Sequence, residues 1–140
     1  MMRILITGGR GQLGQALSWT AGRPEGGKGQ SSLLDSLPQS IQEPAGQYQK
    51  MLLIPLSHQE LDITQSSSIA CALEKYQADV VINTAAYTAV DKAESEPEKA
   101  RLINSTAPGL LAQACAERGI RMVQVSTDYV FDGSATQPYA

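Results

Sequence analysis

The run Thr7-Gly8-Gly9-Arg10-Gly11-Gln12-Leu13-Gly14 has the residue types and spacing needed to hold a phosphate. It follows Arg3-Ile-Leu-Ile-Thr7, an apolar, β-branched segment that reads as a buried strand. It opens a segment from Gln12 to about Thr20 that reads as a helix, with Leu13, Ala16 and Leu17 on one face. In that setting Gly8 permits a tight turn, and Gly11 lets backbone approach a pyrophosphate with no Cβ in the way. Gly14 permits close packing of the helix on the strand. The helix start, including Gln12 and Leu13, adds free N–H groups and the positive end of a dipole. A glycine triplet alone could be a plain turn; the strand–turn–helix context favours dinucleotide binding. Past the next strand, Pro55-Leu-Ser-His-Gln59 supplies no acid to hold a ribose 2′-hydroxyl, whereas Arg10 could pair with a 2′-phosphate. NADPH is therefore favoured, NADH stays open, and the alternative for Arg10 is a solvated loop cation.

The elements that must position this turn alternate along the chain. Met51-Leu-Leu-Ile54 reads as a second strand. Leu61-Asp-Ile-Thr64 leads into a helix from Ser66 to Tyr76, with Ile69, Leu73 and Tyr76 at helical spacing. Val80-Val-Ile-Asn83 is a third strand. Ser95-Glu-Pro-Glu98 has the form of a capping box opening a helix to about Arg118, kinked or divided after Thr106 by Pro108 and stopped at Gly119. Arg121 to Val125 is a fourth strand, and Asp132-Gly133 marks a turn. This order predicts an α/β fold: a Rossmann-type parallel sheet with helices on both faces, truncated after about four strands, in strand order 3-2-1-4. One stretch breaks the pattern. Residues 21–50 hold five glycines together with Pro24, Pro38 and Pro44, which reads as a mobile surface insertion.

Composition sets the outer limits. With 140 residues, 42% hydrophobic and 18% charged, the chain suits one globular domain. A net charge of −3 argues against nucleic acid or an anionic membrane as partner. The amino-terminal apolar run is too short for a signal segment or a membrane span, so a cytoplasmic location is expected. Cys71 and Cys115 lack metal-ligand spacing and read as two buried thiols; no metal site is expected.

Two further strings sharpen the reading: Asn83-Thr-Ala-Ala-Tyr-Thr-Ala-Val-Asp-Lys-Ala-Glu94 after the third strand, and Val125-Ser-Thr-Asp-Tyr-Val-Phe-Asp-Gly133 after the fourth. With the Gly-x-x-Gly-x-x-Gly turn and Leu61-Asp-Ile63, they closely resemble the dTDP-4-dehydrorhamnose reductases, of the extended short-chain dehydrogenase/reductase family. The resemblance covers residues 2–20 and 51–139. It implies that Asp62 and Ile63 lie by the adenine, and that Ala85, Ala86 and Tyr87 line the cofactor. It also implies that Asn104 supports the cofactor-side loops. Thr127 matches the catalytic Ser/Thr whose hydroxyl hydrogen-bonds the sugar ketone, and Asp128 would sit beside the substrate. The implied partner is the nucleotide sugar dTDP-4-dehydro-L-rhamnose, with a homodimer left open. Apart from the resemblance, polar residues at the carboxyl end of a strand stand where open α/β sheets keep ligands, although Ser126–Asp128 could be only turn-formers. Asp91, Lys92 and Glu94 read as a solvated helix start, and His58 as a surface residue without an orienting partner.

The family's proton donor is a Tyr-x-x-x-Lys pair, and no Tyr here has Lys four positions later. The expectation is that the chain is the front, cofactor-holding part of such a reductase, without the substrate domain and inactive alone. The alternative is a non-catalytic nucleotide-binding module, as in the regulatory subunit of methionine adenosyltransferase, which resembles the same reductases.

Overall fold

The computed structural model describes residues 1–21, 51–127, 132–134 and 136–137. The expected insertion at 21–50 therefore lies, past Ala21, outside the described residues. Four strands form one parallel sheet: β1 (Met2–Thr7), β2 (Met51–Pro55), β3 (Val80–Asn83) and β4 (Arg121–Gln124). The helices are α1 (Gln12–Ala21), α2 (Ser66–Tyr76), α3 (Val90–Ala93), α4 (Pro97–Arg101) and α5 (Ala107–Ala116). A turn of π-helix, Leu102–Thr106, joins the last two.

The strand order is β2-β1-β3-β4, which corrects the expected 3-2-1-4. β3 pairs with β1, Ile4 opposite Val80 through Thr7 opposite Asn83, and not with the outer edge of β2. The cause lies in burial. β1 is the most deeply buried strand, with Ile4 through Thr7 inside, and an inner strand needs a hydrogen-bonded neighbour on each edge. β2 is largely exposed and suits the edge. The chain that follows β2 forms no further strand; it folds down so that Leu56, Leu61 and Ile63 join the core.

This order also fixes the layers. The step from β1 to β2 and the steps from β2 through β3 to β4 run in opposite directions across the sheet. Right-handed crossovers therefore put α1 on one face, and α2 and α5 together on the other. On that second face Leu5 and Val81 pack with Ile69, Ala72 and Leu73 of α2 and with Leu111 and Cys115 of α5. The same helical stripe leaves Cys71 outside. Only Cys115 is buried, which corrects the expectation of two buried thiols.

Two local readings also change. Leu13 and Ala16 of α1 are exposed and Leu17 is half-buried, because the helix meets the turn beneath it through buried Gly14. Ser95 is not the cap expected for the later helix. Its hydroxyl turns back to donate to Lys92 O at 3.0 Å, and Glu96 holds the N-cap position with Pro97 next. Pro108 has no N–H to offer the carbonyl four residues earlier, and the helix widens into the π turn just before it. No helix among the described residues is long and apolar enough to cross a membrane.

Candidate functional site

In a 2-1-3-4 sheet the connections diverge between β1 and β3, so a crevice opens at the carboxyl ends of those strands. The glycine turn and the loop after β3 meet there at backbone distance. Gly8 has φ +64°, and a Cβ on it would lie 2.9 Å from Ala85 N and Cα. A Cβ on Gly9 would strike Pro55 and Leu56, and Gly9 N–H donates to Leu56 O at 2.8 Å. A Cβ on Gly14 would lie 2.6 Å from Gly8 O and 2.8 Å from Gly9 Cα. Gly14 thus serves to seat the helix on the turn itself.

Around this knot lies an open cleft of about 880 Å³. Its walls are Gly8 and Arg10 through Leu13 from the turn, Ser57–Gln59 after β2, and Thr84, Ala85, Ala86 and Thr88 after β3. Among the described residues a Cβ on Gly11 would meet Gly8 O alone, at 3.1 Å, and would take up room on the cleft wall. Seven of the residues singled out from sequence thus converge: Gly8, Arg10, Gly11, Gln12, Leu13, Ala85 and Ala86.

The others stand apart from the cleft lining. Gly14 is buried beneath the turn. Ile63 is 4% exposed and packs its side chain in the core. Asp62 Oδ1 accepts Thr64 N–H at 2.9 Å and Thr64 O–H at 2.7 Å, and these bonds hold its carboxyl below the usual range despite some desolvation. Thr127 is exposed, beyond the end of β4 and one strand removed from the crevice. Asp128 lies outside the described residues.

Two networks hold the loop after β3. Beneath it, Thr7 and Asn83 are fully buried and joined through Thr7 Oγ1 and Asn83 Oδ1. Ala85 N–H reaches both oxygens at 3.3 Å, and Thr84 O–H donates to Thr7 O at 2.6 Å. Asn83 Nδ2 also donates to Gln124 Oε1 at 2.8 Å, tying in β4. From the side, the amide of Asn104, in the π turn, takes both backbone groups of Tyr87: it accepts the N–H at 2.7 Å and donates to the carbonyl at 3.0 Å. Tyr87 O–H donates to Glu96 Oε2 at 2.9 Å, and Lys99 Nζ donates to the same oxygen at 3.0 Å. Lys99 and then Tyr87 hold the Glu96 carboxyl low, while desolvation and Glu96 raise the Tyr87 phenol. Tyr87 is therefore an anchor that leaves Ala85, Ala86 and Thr88 on the cleft wall.

Sequence reasoning missed Ser57, His58, Gln59, Thr84 and Thr88 as lining residues. The available signal was position alone, since each follows the carboxyl end of a strand. Glu60, the nearest acid after β2, is absent from the lining. Its carboxylate accepts Ser57 N–H at 2.8 Å and Ser57 O–H at 2.6 Å, and these bonds lower its pKa.

Comparison with known proteins agrees with this arrangement. The family model of the RmlD substrate binding domain matches residues 2–140. A dTDP-4-dehydrorhamnose reductase of Burkholderia thailandensis is 37% identical over 138 residues, covering 99% of this chain and 38% of that protein. Among solved structures, a dTDP-4-dehydrorhamnose reductase from Clostridium acetobutylicum superposes with a TM-score of 0.73 at 36% identity, covering 99% of this chain and 40% of that one. One from Bacillus anthracis, in complex with NADP, gives 0.71 at 30% identity over 96% of this chain and 40% of that one. The chain spans about two fifths of the length of these relatives.

Proposed function

The chain belongs to the RmlD substrate binding domain family, and on that premise we propose that it is the cofactor-holding part of an NADPH-dependent reductase acting on a nucleotide sugar. The reaction is reduction of the 4-keto group of dTDP-4-dehydro-L-rhamnose, carried out in the cytoplasm. The observation that carries the reading is the meeting of the glycine turn, the loop after β2 and the loop after β3 around one cleft. The fit is steric: a Cβ at Gly11 would stand on the wall where a pyrophosphate must approach.

NADPH, when bound, supplies the hydride. The chain's own residues bind and orient it. Backbone N–H groups at the start of α1 would hold the pyrophosphate, and Ala85 and Ala86 would leave room for ribose. Asp62 and Ile63 stand toward the adenine end, and Ile63, buried by its side chain, has only backbone to offer. Asn104 keeps the loop after β3 in place through Tyr87. Thr127, at the carboxyl end of β4, donates a hydrogen bond to the sugar ketone, with Asp128 beside the sugar.

Mapping by NMR tests this. Adding NADPH to the chain should shift the amides of Gly8, Gly11, Ala85 and Ala86 together and saturably. Shifts confined to other parts of the molecule would sink the reading.

A further inference from the structure

Thr7, Asn83 and Gln124 stand in register on β1, β3 and β4, each the last residue of its strand. Their side chains form one hydrogen-bonded line with a fixed direction. Ala85 N–H, in the loop on the cleft wall, donates to Asn83 Oδ1 at 3.3 Å, and the Thr7 hydroxyl donates to the same oxygen. With that oxygen engaged, Asn83 turns Nδ2 toward β4 and donates to Gln124 Oε1 at 2.8 Å. Gln124 is left with Nε2 for its next partner, and it donates to Val125 O at 2.7 Å. A flip of either amide would set N–H against N–H, at Ala85 or between the two side chains.

The line begins in the loop after β3 and ends beside Thr127. Val125 is gripped twice: its N–H donates to Asn83 O at 3.2 Å, and its carbonyl accepts from Gln124. The register of β3 with β4 ends at Asn83 opposite Gln124. The Gln124 carboxamide thus extends the hold to the peptide between Val125 and Ser126, one residue short of Thr127. The residue type matters. A carboxylate could accept from Asn83 but not donate to Val125 O, a lysine could donate but not accept, and an apolar side chain could do neither.

Resting on the reading that the cleft takes NADPH and that Thr127 meets the sugar ketone, we infer that Gln124 is a positioning residue for the hydride transfer. It sets the strand end that bears Thr127 against the loop that holds the cofactor. Transfer needs the reacting atoms about 3–3.5 Å apart, and a misplacement of ~1 Å can cost about a hundredfold in rate. The Asn83–Gln124 line ties that spacing to Ala85 itself.

The test follows the backbone amides of the chain by NMR in the parent, in Gln124→Met and in Gln124→Glu, with and without NADPH. Methionine has a similar length and makes neither bond. Glutamate keeps the acceptor for Asn83, and with it any purely structural role, but at neutral pH it cannot donate to Val125 O. Without cofactor, exchange of the Val125 amide with water should quicken on the order of fivefold in both variants, the effect of one lost hydrogen bond. With saturating NADPH, the Ser126 and Thr127 amides of the parent should shift at the same half-saturation as those of Ala85 and Ala86. In both variants the Ala85 and Ala86 shifts should persist, and those at Ser126 and Thr127 should largely vanish.

A Gln124→Glu protein that matches the parent in either its Val125 exchange or its Thr127 response overturns the positioning role and leaves the cofactor reading intact. A parent in which Ala85 and Ala86 respond to NADPH and Thr127 does not has the same meaning. If Ala85 and Ala86 do not respond either, the cofactor reading fails, and the role of Gln124 fails with it.

Discussion

Replacing Gly14 with alanine separates the seating of the helix from the grip on a ligand. The new Cβ would lie 2.6 Å from Gly8 O and 2.8 Å from Gly9 Cα. Both are backbone atoms, and neither can swing aside. Gly8 O already accepts Gly11 N–H at 2.8 Å, and Gly9 N–H is bound to Leu56 O. Relief requires the turn or α1 to move bodily. Overpacking of this kind costs roughly 1–3 kcal/mol, and backbone on both sides puts this case near the top of that range. Alanine returns about 1 kcal/mol through helix propensity, leaving a net loss of about 2 kcal/mol. With a urea m-value of about 2 kcal/mol per molar, the midpoint should fall by about 1 M, read by circular dichroism. Gly109→Ala is the control. This glycine sits in α5, and no described residue outside its own helix turn comes within 4 Å of its ideal Cβ. Its midpoint should rise, by about 0.5–1 kcal/mol of stability. A Gly14→Ala protein as stable as its parent would refute the steric argument.

Other outcomes follow from the same geometry. Asn104→Ala removes two hydrogen bonds to Tyr87 at an exposed site, so stability should change by about 1 kcal/mol or less. NADPH affinity should fall about tenfold as binding takes on the cost of ordering the loop, measured by NADPH fluorescence; unchanged affinity would remove Asn104 from the site. In the native protein Cys71 should react promptly with a thiol reagent. Cys115, buried and with its thiol pKa pushed up by desolvation, should react only on unfolding; mass spectrometry counts the labels. Glu60, Asp62 and Glu96 have depressed pKa values in the fold, so what they contribute is complete above the unfolded carboxylate range, about pH 4. It should drain away as pH falls through their lower folded values. Ser57→Ala should raise the Glu60 midpoint in a carboxyl NMR titration, and an unmoved midpoint would mean that the Ser57 hydroxyl is not the main cause.

Much of this was legible in the residues because the signals are local. The bounds of α2 and β3 follow from apolar periodicity within a few positions, and the Gly8–Gly14 spacing needs only its flanking strand and helix to be read. Strand order was not legible. Whether Val80–Asn83 joins β1 or β2 depends on which edge the whole sheet leaves uncovered, and no neighbour in sequence reports that. Cys71 fell outside for a simpler reason: two positions from Ile69, it points away from the buried stripe. Ser95 was misread because its hydroxyl had a competing acceptor in Lys92 O, supplied by α3. His58 reads as a surface residue, and its side chain is 79% exposed, with Nδ1 3.9 Å from Asp62 Oδ1 and so beyond hydrogen-bond reach. Tyr87 was placed on the cofactor by resemblance; its phenol is spent on Glu96, and its backbone on Asn104.

The proposed role of the chain depends on the cleft around Gly8–Gly11 receiving the pyrophosphate of NADPH. A fluorescence titration of NADPH against the chain and against Gly11→Asp tests it most directly. The substitution sets a carboxylate on the cleft wall, where the close atom among the described residues is Gly8 O at 3.1 Å; that contact asks the turn to give by a few tenths of an ångström, far less than at Gly14. The parent should bind saturably, and a Gly11→Asp protein with an unchanged circular dichroism spectrum should not. A folded parent that does not bind, or a variant that binds as the parent does, would contradict it.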